Sequence, residues 1–164
     1  MDELEYMSER IEYLEKLVKK YKFDYLTGLM GKLDFNEKFY RLFEECMFSN
    51  INFTLVICDI DGLHNVNRTK GYAEGDVLIK KVADDLKEKF QFHQIYRISG
   101  DEFCVIVRES SESYDEVVNK ISTIEDITFF AEKSKGFKNP IKMFKETDKK
   151  LSIKKKERKL AKRV

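Results

Sequence analysis

Apolar residues near the start of the chain recur at alternating spacings of three and four positions, with charged residues between them. Such spacing predicts an amphipathic helix whose apolar side chains form one stripe. The stripe either packs on the protein's own core or pairs with a second copy of the helix, and we favour pairing. Its members are Leu4, Met7, Ile11, Leu14, Val18 and Tyr21.

Later segments show two kinds of apolar pattern. Stretches with helical spacing predict further helices, and short continuous apolar runs predict strands. Polar residues dominate between positions 61 and 75, which predicts a loop. The predicted helices cover residues 33–48, 74–90, 110–122 and 141–162, and the predicted strands cover residues 53–58, 94–98, 103–108 and 127–131.

Two of these apolar runs flank a short polar link, Ser99-Gly100-Asp101-Glu102. This arrangement predicts a tight β-hairpin. The adjacent carboxylates of Asp101 and Glu102 repel each other, so an acidic hairpin tip loses stability unless a cation lies nearby. The link is therefore a candidate cation site.

A second acidic strand end precedes the hairpin. The run from Phe53 to Cys58 is apolar and ends in Asp59-Ile60-Asp61. Side chains alternate along a strand, so Asp59 and Asp61 share one face where the strand leaves the core. Two strand ends tipped with carboxylates are suited to hold a hard divalent cation through oxygen ligands. Asp61 is either a further ligand or a turn residue.

The hairpin link resembles the signature of the GGDEF family of diguanylate cyclase domains, with serine in place of the first glycine. Three further family motifs occur in the expected order and spacing, so the resemblance covers residues 22 to 160. Asp24-Tyr25-Leu26-Thr27-Gly28-Leu29 is similar to the opening D-x-L-T-G-L, Asp59-Ile60-Asp61 to the metal strand, and Asn67, Gly71, Gly75 and Asp76 to N-x-x-x-G-x-x-x-G-D.

This resemblance implies an α/β (α+β) palm-like fold, in which helices flank a mostly antiparallel central sheet. We expect residues 1–22 to form a coiled-coil-like dimerisation helix and residues 23–164 to form the cyclase domain. The implied activity is the metal-dependent condensation of two GTP molecules to cyclic di-GMP with release of pyrophosphate. One domain holds one GTP, so the expected partner is a second copy in a homodimer.

The resemblance also implies the metal and catalytic residues. Asp59, the carbonyl of Ile60 and Asp101 would hold Mg²⁺ or Mn²⁺, and Asp101 would lie beside the attacking 3′-hydroxyl. A divalent cation suits this chemistry because phosphoryl transfer spreads negative charge over the phosphate oxygens. Glu102, the paired carboxylate, is the weaker catalytic candidate.

Substrate contacts are implied in the same way. Asn67 and Asp76 match residues that hydrogen-bond the guanine edge, where a carboxylate accepts from two donors that adenine lacks. On physical grounds alone, Asp76 is also an ordinary acid in the first turn of a helix. Gly100 would let the backbone approach the nucleotide closely. Lys155 and Lys159 match phosphate-binding cations and share one helical face, or they belong to a solvated basic tail.

Two departures from the family pattern affect the expected site. Ser99 strains the link only if the backbone there requires a positive φ. The family's product-inhibition motif, R-x-x-D, has Phe90 and His93 at its two charged positions in this chain. We therefore expect no tight binding of cyclic di-GMP at that place.

The amino-acid composition excludes some classes of protein and of binding partner. The 31 basic and 30 acidic side chains nearly cancel, so no overall basic field favours a nucleic-acid partner. The chain has three cysteines, two of them in predicted core strands, and this pattern is typical of a reduced intracellular protein. No apolar run is long enough to span a bilayer, and no signal peptide is evident. We expect a soluble, cytoplasmic, single-domain protein without a membrane partner.

Three other functions fit the same residues. The first is a degenerate domain that binds GTP or a protein partner without turnover. The second is a related palm enzyme that makes another cyclic nucleotide. The third and weakest is a nucleic-acid-binding module that uses the basic C-terminal tail, for which binding would be salt-sensitive.

Overall fold

One sheet of five strands organises the chain in the computed structural model, which describes residues 3–161 apart from the side chains of Lys19 and His93. The strands are Met30–Gly31 (β1), Phe53–Ile60 (β2), Ile95–Arg97 (β3), Glu102–Arg108 (β4) and Ile127–Lys133 (β5). In space they follow the order β1-β3-β4-β2-β5. β1 and β3 are parallel and the other three neighbouring pairs are antiparallel, so the predicted sheet is confirmed.

Helices cover both faces of this sheet. Leu55 of β2 belongs to the same apolar cluster as Phe39 and Met143, whereas the neighbouring Val56 clusters with Val82 on the opposite face. This alternation gives the chain two apolar layers, one on each side of the sheet. The helices of the described residues are Glu3–Lys22 (α1), Lys32–Ser49 (α2), Leu63–Lys70 (α3), Tyr72–Lys89 (α4), Tyr114–Ser122 (α5) and Pro140–Ala161 (α6).

The strand β2 lies between β4 and β5, and all of its residues are buried. A strand with neighbours on both edges and helices on both faces has no side that contacts water, which explains its continuous apolar run. The prediction of a buried strand is therefore confirmed. The acidic residue Asp59 is also drawn into this buried strand.

Two predicted element boundaries differ from the structure. The prediction of a loop over residues 61–75 is wrong because α3 and the first turn of α4 lie within it. Leu63 is the buried residue of α3, so this helix has almost no apolar periodicity to detect. The helix α5 begins later than predicted, because Ser113 and Glu116 form a capping box at its start.

The apolar stripe of α1 faces solvent. The exposed fraction of its six side chains runs from 44% at Leu14 to 76% at Leu4. The stripe therefore does not pack on the chain's own core, which was one of the two alternatives. Near the end of the helix, Lys22 Nζ lies 3.2 Å from a carboxylate oxygen of Asp34 in α2. Among the described helices, none is both long and apolar enough to cross a membrane.

Candidate functional site

Strand pairing brings the two predicted acidic strand ends together. In the antiparallel register of β2 and β4, Asp59 stands directly opposite Glu102. The amide of Ile60 donates a hydrogen bond of 2.9 Å to the carbonyl of Asp101, which joins the hairpin link to the end of β2. One end of the inner strands β2 and β4 thus holds the three residues predicted to bind metal, which are Asp59, Ile60 and Asp101.

These residues line a pocket of about 400 Å³ whose opposite wall is the last part of α6. The predicted phosphate-binding residues Lys155 and Lys159 both face this pocket. Cations on one wall and carboxylates on the other create a site for a ligand that carries both metal and phosphate. The described residues that line the pocket are Asp59, Ile60, Asp61, Gly62, Leu63, His64, Asn65, Asp101, Lys155, Arg158 and Lys159.

An ion pair crosses the pocket. Lys155 Nζ lies 2.6 Å from Oδ2 of Asp59, which is buried. Burial raises the pKa of Asp59, the ammonium of Lys155 lowers it, and the nearby charges of Asp101 and Glu102 raise it again, so that the pKa stays above its ordinary value. A cation beside Asp59 therefore stabilises the charged form of its carboxylate.

A second cation of α6 engages the second carboxylate. Arg158 Nη1 lies 2.7 Å from Oδ2 of Asp61 and donates hydrogen bonds to the carbonyl of Ile127 at 2.6 Å and to Oγ1 of Thr128 at 3.1 Å. Thr128 in turn donates to Oδ1 of Asp61 at 2.6 Å. Asp61 is thus held in a polar cluster. Arg158 was not predicted from the sequence to belong to the site. It lies three residues after Lys155, and this spacing places both side chains on one helical face.

The hairpin link is free of the strain that Ser99 could have introduced. Neither Ser99 nor Gly100 has a positive φ. The Ser99 hydroxyl donates a 3.0 Å hydrogen bond to Oε2 of Glu102. Serine therefore fits this position in the link. A methyl group added at Gly100 would meet no atom within 4 Å, so the space beside its Cα is open.

A partly buried ion pair connects this link to the first motif. Arg97 Nη1 donates to both carboxylate oxygens of Asp24, at 2.9 and 3.1 Å, and its Nη2 donates to the carbonyl of Gly100 at 2.7 Å. Thr27 donates to the same carboxylate through its amide and hydroxyl. Burial alone would raise the pKa of Asp24, but the hydrogen bonds from Thr27 and Arg97 together outweigh it and lower the pKa.

The predicted guanine-binding residues lie on the two helices that follow β2. Asn67 belongs to α3 and Asp76 to α4, and both are partly exposed. A Cβ at Gly75 would approach Oδ1 of Asn67 to 1.8 Å, which explains the glycine at that position. Neither Asn67 nor Asp76 is among the residues that line the pocket at Asp59. Their role toward guanine stays a prediction.

Other residues that the sequence analysis discussed do not line the pocket at Asp59. Glu102 and Ser99 line a separate cavity of about 230 Å³ on the side of α2. Phe90, at one position of the expected product-inhibition motif, is buried in the apolar core. The side chain of His93, at the other position, lies outside the described residues, and the absence of product binding there stays a prediction.

The donor set of the pocket fits a divalent cation that is bound jointly with phosphate. The described residues contain no group of three or more acidic, histidine or cysteine side chains arranged as a metal centre. Mg²⁺ is usually held by one or two carboxylates together with substrate phosphates and water, without a cage made entirely by the protein. Asp59, Ile60 and Asp101 line one pocket with Lys155 and Lys159, which are predicted to bind phosphate, and this set meets that requirement.

The basic end of α6 makes defined contacts in addition to its exposed positions. Lys154 donates to the carbonyl of Phe129 at 3.0 Å and lies over the ring of the same residue. Lys155 and Arg158 hold the two aspartates at the end of β2. Lys155 is therefore more than a solvated residue of a basic tail, whereas Lys159 is exposed. The phosphate-binding role of both lysines stays a prediction.

Comparison with known proteins gives one family over most of the chain. The family model of the diguanylate cyclase GGDEF domain matches residues 21–157. An uncharacterised membrane protein of Staphylococcus haemolyticus is 36% identical over 92 residues, which are 55% of this chain and 26% of that protein. The cyclic di-GMP phosphodiesterase NbdA of Pseudomonas aeruginosa is 31% identical over 86 residues, which are 52% of this chain and 11% of that protein. The chain thus spans a minor part of either relative.

Solved structures show the same fold. The coiled coil and GGDEF domain of DgcB from Caulobacter crescentus, in complex with c-di-GMP, superposes with a TM-score of 0.82 at 21% identity, covering 93% of this chain and 90% of that one. The GGDEF domain of FimX from Pseudomonas aeruginosa gives a TM-score of 0.74 at 11% identity, covering 83% and 94%. At these identities the likeness concerns the fold alone.

Proposed function

Because the chain belongs to the GGDEF family of diguanylate cyclase domains, we propose that it condenses two GTP molecules to cyclic di-GMP. In this reaction the 3′-hydroxyl of each GTP attacks the α-phosphorus of the other, two phosphodiester bonds form, and two pyrophosphates leave. The observation that carries the proposal is the pocket in which Asp59 and Asp101 face Lys155 and Lys159.

The side chains of the pocket have different roles in the proposed reaction. Lys155 and Lys159 stabilise the charge of the triphosphate, because ammonium groups bind phosphate oxygens strongly. Asp101, on the hairpin link, would accept the proton of the attacking hydroxyl. Mg²⁺ or Mn²⁺, when bound at Asp59, Asp101 and the carbonyl of Ile60, supplies the positive charge that offsets the developing negative charge on the phosphate.

Guanine selection is assigned to α3 and α4. Asp76 accepts hydrogen bonds from the ring N1–H and the exocyclic amine of guanine, and Asn67 adds a further hydrogen bond. An adenine at the same place would lack both donors and would leave the Asp76 carboxylate unpaired. We therefore propose GTP over ATP as the substrate.

The reaction requires two chains. Each pocket holds one GTP, so two pockets must face each other before both bonds can form. The exposed stripe of α1 supports such an arrangement, since a row of solvent-facing apolar side chains is stabilised by pairing with a second helix. We propose that residues 1–22 form this dimerisation helix and that residues 23–164 form the cyclase domain.

A domain that binds nucleotide without turnover is the second candidate. One observation favours it: the Asp59 and Asp61 carboxylates are both already paired with cations from α6. In such a domain, these ion pairs would persist and the pocket would serve recognition only.

The test is incubation with GTP, and separately with ATP, in the presence of Mg²⁺, with products resolved by mass spectrometry. The Asp59→Asn and Asp101→Asn variants serve as controls. Cyclic di-GMP formed from GTP alone, and lost in both variants, supports the cyclase. A different cyclic product indicates a related palm enzyme. If a dimeric protein binds GTP and releases no product, the binding domain is correct.

A further inference from the structure

We propose that Lys155 is a placeholder cation, which pairs with the Asp59 carboxylate before a metal ion binds and moves to the nucleotide phosphates when the metal ion enters. The inference rests on the proposed function, since it concerns the same pocket.

The geometry of the ion pair is the first support. Lys155 Nζ is 2.6 Å from Oδ2 of Asp59, and the Asp59 side chain is only 5% exposed. Burying the Asp59 carboxylate without a cation would destabilise the folded protein, and the nearby charges of Asp101 and Glu102 add repulsion. The ammonium therefore stabilises the pocket before any ligand arrives.

The same position cannot serve two cations. A divalent ion on the Asp59 carboxylate would lie within a few ångström of the Lys155 ammonium, and like charges at that separation in a partly buried site repel strongly. The ammonium must leave when the metal binds. Lys155 lines the same pocket as Lys159, so a triphosphate bound there offers the displaced ammonium a new partner.

The neighbouring Arg158 shows why Lys155 is the cation that moves. Arg158 is anchored by the carbonyl of Ile127 and the hydroxyl of Thr128 as well as by the Asp61 carboxylate. Among the described residues, Lys155 makes one ion pair, with Asp59. A lysine has a compact charge on a flexible four-carbon stem, so it can exchange one anionic partner for another without moving the helix.

The exchange has a signature that a simple phosphate-binding lysine would not give. Removing the Lys155 charge should tighten metal binding in the absence of nucleotide, because the competitor for Asp59 is gone. The same change should weaken nucleotide binding, because a phosphate partner is lost. Metal and nucleotide should also assist each other's binding more in the natural protein than in the variant, by the same factor in both directions.

The experiment measures Mn²⁺ binding by electron paramagnetic resonance, with and without 3′-deoxy-GTP, which cannot condense because it lacks the attacking hydroxyl. Lys155→Met removes the charge and keeps the length of the side chain, and Lys155→Arg keeps the charge. Lys156→Met removes an equal charge from an exposed position next to Lys155 on the same helix. Asp59→Asn removes the partner.

Without nucleotide, Lys155→Met should bind Mn²⁺ about tenfold more tightly than the natural protein, whereas Lys155→Arg and Lys156→Met should leave the affinity unchanged within about twofold. Unchanged or weaker Mn²⁺ binding in Lys155→Met overturns the placeholder role. If Asp59→Asn still weakens binding in that case, the metal site of the proposed function stands. If Asp59→Asn has no effect with or without nucleotide, the metal site and the placeholder both fail.

Discussion

Asp24 and Arg97 form a partly buried ion pair that connects the segment after α1 to the hairpin link. Both oxygens of Asp24 accept from Nη1 of Arg97, and Nη2 of the same guanidinium holds the carbonyl of Gly100. The two residues are 73 positions apart in sequence. The pair thus links the residues that follow α1 to the backbone beside Asp101.

Replacing Asp24 by asparagine tests this connection through its pH dependence. The carboxylate has a lowered pKa, so its contribution to stability is present above about pH 4 and is lost as the pH falls through the folded-state pKa. At pH 7 the Asp24→Asn variant should be less stable by about 2 kcal/mol, because Arg97 loses a charged partner.

The measurement for Asp24→Asn is urea unfolding at several pH values between 7 and 3. The stability difference from the natural protein should shrink as the pH falls below about 4. Asp84→Asn, which removes an exposed carboxylate paired with Lys87 at the surface, is the matched control. A stability difference that stays constant over the whole pH range would contradict the assigned ion pair.

Removing either carboxylate at the strand ends should abolish catalysis and preserve the fold. Asp59→Asn and Asp101→Asn should each lower cyclic di-GMP formation by at least about a hundredfold, since the site loses a charged metal ligand. Far-ultraviolet circular dichroism should stay unchanged. Glu88→Gln, an exposed carboxylate on α4, should keep full activity. Retained turnover in both site variants would rule out this pocket as the active site.

The Gly100→Ala variant distinguishes a role of Gly100 in the fold from a role in substrate binding. The φ of Gly100 is not positive and no atom lies within 4 Å of the added Cβ, so Gly100→Ala should change the free energy of unfolding by less than about 0.5 kcal/mol. GTP affinity should still fall about tenfold if the nucleotide approaches this backbone. Isothermal titration with 3′-deoxy-GTP gives the affinity. Full affinity would remove Gly100 from the substrate site.

Restoring the family's glycine at position 99 should bring no gain in turnover. Ser99 has no positive φ to relieve, and its hydroxyl holds Glu102. The Ser99→Gly variant should lose about 1 kcal/mol of stability, through the lost hydrogen bond and the more flexible unfolded chain. Steady-state rates and thermal unfolding measure the two effects. A marked rise in turnover would show that serine impairs the link.

A charge placed in the α1 stripe should prevent dimer formation without unfolding the protein. Ile11 is 54% exposed and lies outside the buried core, so Ile11→Glu should cost the single chain little stability but places like charges between two paired helices. Sedimentation velocity should show a shift from dimer to monomer, and cyclic di-GMP formation should fall with it.

The matched control is Tyr13→Glu, which places the same charge at an exposed residue of the same helix outside the stripe. This variant should stay dimeric. Equal dissociation of both variants would mean that the stripe does not define the interface. A monomer that retains full turnover would contradict the requirement for two facing pockets.

Local patterns predicted most of the architecture because they are set by short stretches of chain. The continuous apolar run before Asp59 predicted a buried strand, and the two acidic strand ends, with the family resemblance, predicted that Asp59 and Asp101 would meet. Two short elements, α3 and β1, escaped prediction. A helix with Leu63 as its buried residue and a strand of two residues carry too little periodicity to be detected.

The sequence by itself determined which residues carry charge at the site and which helix carries the apolar stripe. Only the tertiary structure decided how the charges pair, with Lys155 on Asp59, Arg158 on Asp61 and Arg97 on Asp24. The physical reason is that periodicity reports which face of an element is apolar, whereas an ion pair depends on the distance between atoms on elements far apart in sequence. That distance is set by how α6 and the hairpin pack on the sheet, which no local pattern specifies.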